Sequence, residues 1–299
     1  MCGIVGLFLT DPALEPDLGR LVAGMLAVMS DRGPDSAGFA LYGDIVDDTT
    51  KLTLHAPPAT DFHAIAAQVA EALGVTTPPI VRDDHAVLRV PAWQETETRT
   101  LLAQIAPQVS VVASGKRMEL FKGVGRPTDV STRFGLPGMT GTHAVAHTRM
   151  ATESAVTTEG AHPFSTGPDQ CLVHNGSLSN HNGVRRMLAR EGIRMETAND
   201  TEVAAGYLTW RMREGAGLDD ALRSALDDLD GFYTFVVGTE TGFGVLRDPV
   251  ACKPAVMAET NRYVAFASEY RALVGLPGIA DARLFEPEPA RVYFWDRPH

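Results

Sequence analysis

Cys2 stands directly behind the initiator in the opening MCGIVGLF. If Met1 is removed, Cys2 gains a free α-amine, a group that ordinarily titrates near pH ~7.7–8.0, beside a thiol that ionises near pH ~8.5. Such an amine can take the thiol proton without a histidine, which makes an N-terminal cysteine a self-sufficient nucleophile. The competing reading is a small buried hydrophobe at the start of a strand. A nucleophile also needs an oxyanion stabiliser and a substrate grip. The segment HNGSL at 174–178 offers the side-chain amide of Asn175 and the backbone N–H of Gly176, although Asn-Gly is equally the signature of a tight hairpin turn. In AHTRMATE at 146–153, Arg149 ends a predicted strand. Its planar fork suits a carboxylate or a structural ion pair. Asp200, in NDTEVAA, precedes a predicted helix, either as its N-cap or as an anchor for an ammonium group. One Arg and one Asp together would define a site for an α-amino acid.

Other chemistries have less support. His143 and His147 are spaced HxxxH, but they fall on a predicted strand, where residues four apart stand too far from each other to share an ion, and His162 and His174 lie in separate segments, so structural hydrogen bonding is the reading for His147 and His174. No dinucleotide or P-loop glycine pattern occurs, and no metal site is expected. The 299 residues carry a formal net charge of -11, which disfavours nucleic acid and anionic membrane as partners. Three scattered cysteines (Cys2, Cys171 and Cys252) make no disulfide framework and suit a reducing cytoplasm. No stretch is apolar for the length of a membrane span, and the N-terminus lacks the basic start of a signal peptide. A cytoplasmic protein is expected.

These residues need elements to position them. Residues 3–9 (GIVGLFL) read as a buried strand, and 17–30 as a helix with Leu18, Leu21, Val22, Met25, Leu26 and Met29 on one face. Residues 46–115 read as a separate unit in the order β-α-β-α-β, with a further strand at PPIVR, and a small ferredoxin-like layer is expected. Beyond it, RMELFKG, THAVAHTRMAT and QCLVHNGSLSN read as strands, TDVSTRFG as a short helix, and 201–214 and 218–229 as helices. Four strands (FYTFVVG, FGVLRD, PAVMA and RYVAFASE) follow. Antiparallel strands with helices grouped between them predict an α+β protein of two sheets faced by helices.

The segments CGIVG, RGPDSAG, HTRMAT, GAHPF, HNGSL and NDTE, in this order, resemble the class II glutamine amidotransferases of the N-terminal nucleophile hydrolase fold. RDPVACKP and ASE resemble further family segments. The resemblance implies a four-layer αββα sandwich from residues 2–45 and 116–299, with 46–115 as an inserted α+β subdomain. It implies that Cys2 attacks the side-chain amide of glutamine, that Asn175 and Gly176 form the oxyanion hole, and that Arg149, Thr152, Asp200 and Arg32 bind or support the substrate. Two departures stand out: Asp31 replaces a frequent His before RGP, and Glu153-Ser154 replaces a frequent His-Gly after HTRxAT.

Over its whole length the chain is also similar to the glutaminase-like A subunit of N-methylglutamate synthase, through MCGIVGLFL with DPALEP, SDRGPDSAGFA and the insertion. That resemblance implies a role in methylamine assimilation and no cofactor on this chain, with FMN and an iron–sulfur cluster on partner subunits of a hetero-oligomer. No ammonia-consuming domain follows the last predicted strands, so a synthase on another polypeptide is expected. The insertion then becomes a docking surface. The competing expectation is a non-catalytic scaffold of the same fold.

Overall fold

The computed structural model describes residues 2–74, 78–150 and 155–297. The chain begins β1 (Gly3–Leu9), α1 (Leu18–Val28) and β2 (Ser36–Tyr42). It continues β3 (Thr49–His55), α2 (Phe62–Leu73), β4 (Ile80–Arg82), β5 (His85–Pro91), α3 (Glu95–Ile105) and β6 (Ser110–Gly115). Then come β7 (Met118–Val124), α4 (Pro127–Arg133), β8 (His143–Arg149), β9 (Phe164–Gly167) and β10 (Gln170–Leu178). Three helices follow: α5 (His181–Arg190), α6 (Asp200–Arg213) and α7 (Leu218–Asp228). The chain closes with β11 (Gly231–Gly238), β12 (Gly242–Arg247), β13 (Val256–Glu259), β14 (Tyr263–Ala267), β15 (Arg283–Phe285) and β16 (Val292–Asp296).

The strands form three sheets, in the orders β15-β13-β14-β1-β8-β2-β7, β16-β12-β11-β10-β9 and β4-β5-β3-β6. Alternation along the strands fixes which side each residue serves. In β1, Ile4 and Phe8 face the five-stranded sheet and pack with Val173, Val236 and Phe243, while Val5, Leu7 and Leu9 face α1. Burial on both faces is why GIVGLFL is apolar throughout. In β10, Cys171 and Val173 face the seven-stranded sheet, and Leu172 and Leu178 face the core made with α5, α6 and α7. Helix α1 thus packs on the seven-stranded sheet, and α5, α6 and α7 pack on the five-stranded sheet.

Residues 49–115 make the third sheet and pack α2 and α3 on it around Leu52, Leu54, Phe62, Val69, Leu88 and Leu102. The Asp61 side chain caps α2 by accepting from the backbone N–H groups of His63 and Ala64, both at 3.0 Å. Gly74 ends the helix in the left-handed conformation.

The structure adds several elements to the sequence reading, among them the short strand β9. The helix α5 is absent from that reading, because Val184, Met187 and Leu188 are the only larger apolar residues of that helix. The four late strands, which the sequence reading assigns to neither sheet, divide between the two: β11 and β12 continue from β10, whereas β13 and β14 cross over to pair beside β1. The short strands β15 and β16 are also additional, being only partly buried. Among the described residues, no helix is long and apolar enough to cross a membrane.

Candidate active site

The first residues of β1, the ends of β8 and β10, and the start of α6 meet at one end of the two large sheets. There a cleft of about 1050 Å3 is lined by Cys2, Arg149, His174, Asn175, Gly176, Asp200 and Thr201, with Glu159, His162 and Lys253 among its other walls. Parity places the groups. Arg149 shares the face of Val145, which looks toward the five-stranded sheet. Asn175 shares the face of Val173 and looks back toward Cys2. Its Nδ2 donates to the Cys2 carbonyl at 3.4 Å. His174, one residue earlier, looks the other way, toward α6.

The Cys2 carbonyl also accepts from Arg32 Nε at 3.0 Å. The Arg32 bond is shorter and charge-assisted, hence roughly twice as strong as the neutral one. Asn175 can therefore turn to a ligand while Arg32 still holds the chain start. Arg32 is buried, and its Nη1 pairs with Glu269 Oε1 at 2.7 Å, which holds the Glu269 carboxyl below its ordinary range. The guanidinium is thus directed at the Cys2 backbone and Glu269, and Arg32 is not among the residues that line the cleft. Asp31, beside it, is largely exposed and lies 3.9 Å from Arg271.

The register of β10 decides what Gly176 offers. Ser179 N donates to Asp230 O, so in this antiparallel ladder the hydrogen-bonded pairs with β11 are Asn175 with Thr234 and Ser177 with Phe232. Residues 174, 176 and 178 turn their N–H groups to the opposite side, where β9 pairs no further along than Leu172. Two of these groups are engaged: His174 N donates to His162 Nδ1 at 3.4 Å, and Leu178 N donates to Asp200 Oδ2 at 2.9 Å. The N–H of Gly176 lies between them and points into the cleft. Gly176 has φ +147, and a Cβ there would fall on the Phe232 carbonyl oxygen. HNGSL therefore runs on as a strand edge and is not a two-residue hairpin turn.

Asp200 is the first residue of α6 and not its cap. Asn199 takes that role, its side chain accepting from Thr201 N at 2.8 Å. This leaves the Asp200 carboxylate to Leu178 N and to His174, whose Nδ1 lies 3.7 Å from Oδ1. Burial alone would raise the Asp200 pKa, but His174 and the Leu178 N–H outweigh it and hold it below the usual carboxylate value. His174 Nδ1 also meets Thr201 Oγ1 at 3.0 Å, and the same hydroxyl meets His162 Nε2 at 3.2 Å. His162 stacks on His147 with ring centroids 4.1 Å apart. Burial pushes His147 down to about 3 and His162 well below its ordinary value, so both are neutral.

The structure thus brings Cys2, Arg149, Asn175, Gly176 and Asp200 to one cleft, with Arg32 behind Cys2. Thr152, Glu153 and Ser154 lie outside the described residues. His162, Thr201 and Glu269 carry no role in the residue-level reading, although GAHPF, NDTE and ASE stand out there as segments. Among the described residues, no three His, Cys, Asp or Glu side chains gather to hold a metal ion.

Residues 147–275 match the family of the glutamine amidotransferase domain. The chain is 61% identical over 297 residues to the glutamine amidotransferase-like protein GlxB of Rhizobium meliloti (strain 1021), covering 99% of this chain and 98% of that one. It is 33% identical over 129 residues, 43% of this chain and 21% of the relative, to the isomerizing glutamine–fructose-6-phosphate aminotransferase of Vibrio vulnificus (strain YJ016). Its fold superposes on the glutamine phosphoribosylpyrophosphate amidotransferase from B. subtilis with a TM-score of 0.62 at 20% identity, covering 99% of this chain and 47% of that one.

Proposed function

From the premise that the chain belongs to the class II glutamine amidotransferases, we propose that it hydrolyses the side-chain amide of glutamine to glutamate and ammonia through a Cys2 thioester. The observation that carries this reading is the strand edge of β10, where the N–H of Gly176 is directed into the cleft between two engaged neighbours, in the same cleft as Cys2. With Met1 removed, the α-amine of Cys2 takes the thiol proton as sulfur attacks the amide carbon. The amide oxygen gathers negative charge, and Asn175 Nδ2 and Gly176 N–H donate to it. The amine returns the proton to the leaving nitrogen, ammonia departs, and water attacks the thioester to release glutamate and regenerate the thiol. Arg149 takes the substrate α-carboxylate and Asp200 its α-ammonium. Thr152 orders the same end of the substrate, and Arg32 holds the Cys2 carbonyl.

In this reading the stacked layers form the αββα sandwich of N-terminal nucleophile hydrolases, and residues 46–115 form an inserted ferredoxin-like unit. The finer reading makes the chain the cytoplasmic A subunit of an N-methylglutamate synthase or a glutamate synthase-like complex, with FMN and iron–sulfur chemistry on partner subunits. Its support is the similarity of the opening segments and the insertion. Co-purification from the native host tests it, and recovery without a flavin-bearing partner counts against it. The catalytic reading is tested by coupled assay of glutamate and ammonia from glutamine. Cys2→Ala should lower turnover at least ~10³-fold. A wild-type complex that assembles without any glutamine turnover would make the chain a scaffold instead.

A further inference from the structure

Lys122, in β7, is 5% exposed, yet no step above uses it. Its ammonium donates to the carbonyls of Glu159 at 3.1 Å, Ala161 at 2.9 Å and Pro163 at 3.4 Å, and lies 4.3 Å from the centre of the Phe164 ring. Three donors therefore meet three carbonyls at every second residue of the segment 159–163. Burial depresses the Lys122 pKa to about 8, against the pull of Glu202, Glu159 and Glu196. A buried charge is costly unless it is paired and hydrogen-bonded, and here it is satisfied by backbone oxygens of a single segment.

A second observation seats the same segment. Gly38 of β2 is paired with Lys122, and a Cβ on Gly38 would fall on the His162 carbonyl oxygen. The segment thus rests on the sheet where Gly38 leaves room and Lys122 ties it down. From this seat the His162 ring reaches toward the five-stranded sheet. Its Nδ1 accepts from His174 N, and its Nε2 meets Thr201 Oγ1. His174 adjoins Asn175 and Gly176, and Thr201 adjoins Asp200.

We propose that Lys122 is a positioning residue of the glutamine site: it clamps residues 159–163 to the seven-stranded sheet, and the clamped His162 sets both the strand end that carries the oxyanion donors and the helix start that carries Asp200. This rests on the glutaminase reading of the cleft. Lys122 touches no substrate and acts through His162.

The test uses the full chain with Lys122→Met, which keeps the length of the side chain and removes its donors, and with Gly38→Ala, whose Cβ would fall on the His162 carbonyl oxygen and 2.5 Å from Lys122 Cβ, displacing the segment and its clamp while the ammonium is retained. Lys51→Met is the control. Lys51 is also buried, but it donates to Arg117 O and Glu119 Oε1, away from the cleft. Both test variants should lower kcat/KM for glutamine about 10- to 100-fold, the scale of a misplacement near 1 Å. Both should also speed amide hydrogen exchange at His174. The control should leave both quantities unchanged while shifting only the melting temperature. Unchanged kcat/KM and unchanged His174 exchange in folded Lys122→Met would overturn the proposal, as would an equal loss of activity in the control. If Lys122→Met does not fold, Gly38→Ala decides by the same two readings. If the wild-type chain hydrolyses no glutamine, the functional reading fails, and His174 exchange alone decides whether the clamp exists.

Discussion

Gly176→Ala probes the strand edge most sharply. The residue sits at φ +147, where an L side chain is strained by about 1–3 kcal/mol. The new Cβ would land on the Phe232 carbonyl oxygen and within 2.8 Å of Tyr233 Cα and 2.9 Å of His174 Nε2. The first two of these are backbone atoms in β11 and cannot swing aside, so overpacking adds about 1–3 kcal/mol. The expected destabilisation is the sum, about 2–6 kcal/mol. Relief requires β10 to move away from β11, and that turns the N–H of Gly176 off its line into the cleft. Losing one oxyanion donor costs about 10²–10³ in kcat, so the folded fraction should show a fall of that size with a smaller change in KM. Urea unfolding and initial-rate glutaminase assays read the two effects separately. Gly183→Ala in α5 is the matched comparison: its Cβ meets nothing within 4 Å, and the change should stabilise by about 0.5–1 kcal/mol with unaltered turnover. A Gly176→Ala chain as stable and as active as wild type would refute the reasoning.

Arg149→Lys removes the two-pronged fork while keeping the charge, and should raise KM for glutamine at least about 10-fold with a smaller change in kcat; an unchanged KM would detach Arg149 from the substrate. Asp200→Asn should likewise raise KM, and a glutamine analogue lacking the α-amine should bind both forms alike. Acid should destabilise the fold through its buried histidines. His143 and His147 are each held neutral by burial, with pKa values pushed down to about 3, whereas the unfolded chain takes up these protons below its value near ~6.5. The unfolded state then binds more protons, so stability falls as pH drops below ~6.5, by about 2 kcal/mol per histidine between pH ~7 and ~5. Urea midpoints at the two pH values should differ accordingly, and equal midpoints would contradict the burial account.

Much of the site is legible in the sequence because its groups are carried by short local patterns. Cys2, Arg149 and Asp200 each sit where a strand or helix starts or ends, and such boundaries leave marks in sequence, whereas Asn175-Gly176 lies inside β10 and is marked by the dipeptide itself. The apolar run of β1 is legible for the same reason, since a strand covered on both faces has no polar alternation to hide it. What stays hidden depends on partners far away in the chain. Arg32 grips Glu269, 237 residues on, and Lys122 holds carbonyls 37–41 residues on; neither has a local signature. The cap of α6 lies one residue before the position the sequence suggests, because Asn and Asp are nearly equal as caps, and only the fold shows which side chain turns inward. The split of β11–β14 between two sheets is likewise a matter of crossover, which strand propensity does not encode.

The most direct test of the central claim is the intact mass of the purified chain before and after incubation with an electrophilic glutamine analogue. The account predicts a chain lighter by one methionine that gains a single adduct, with the adduct lost in Cys2→Ala and slowed in Arg149→Lys. A chain that keeps Met1 and gains no adduct, or one whose adduct persists in Cys2→Ala, would contradict a nucleophilic Cys2.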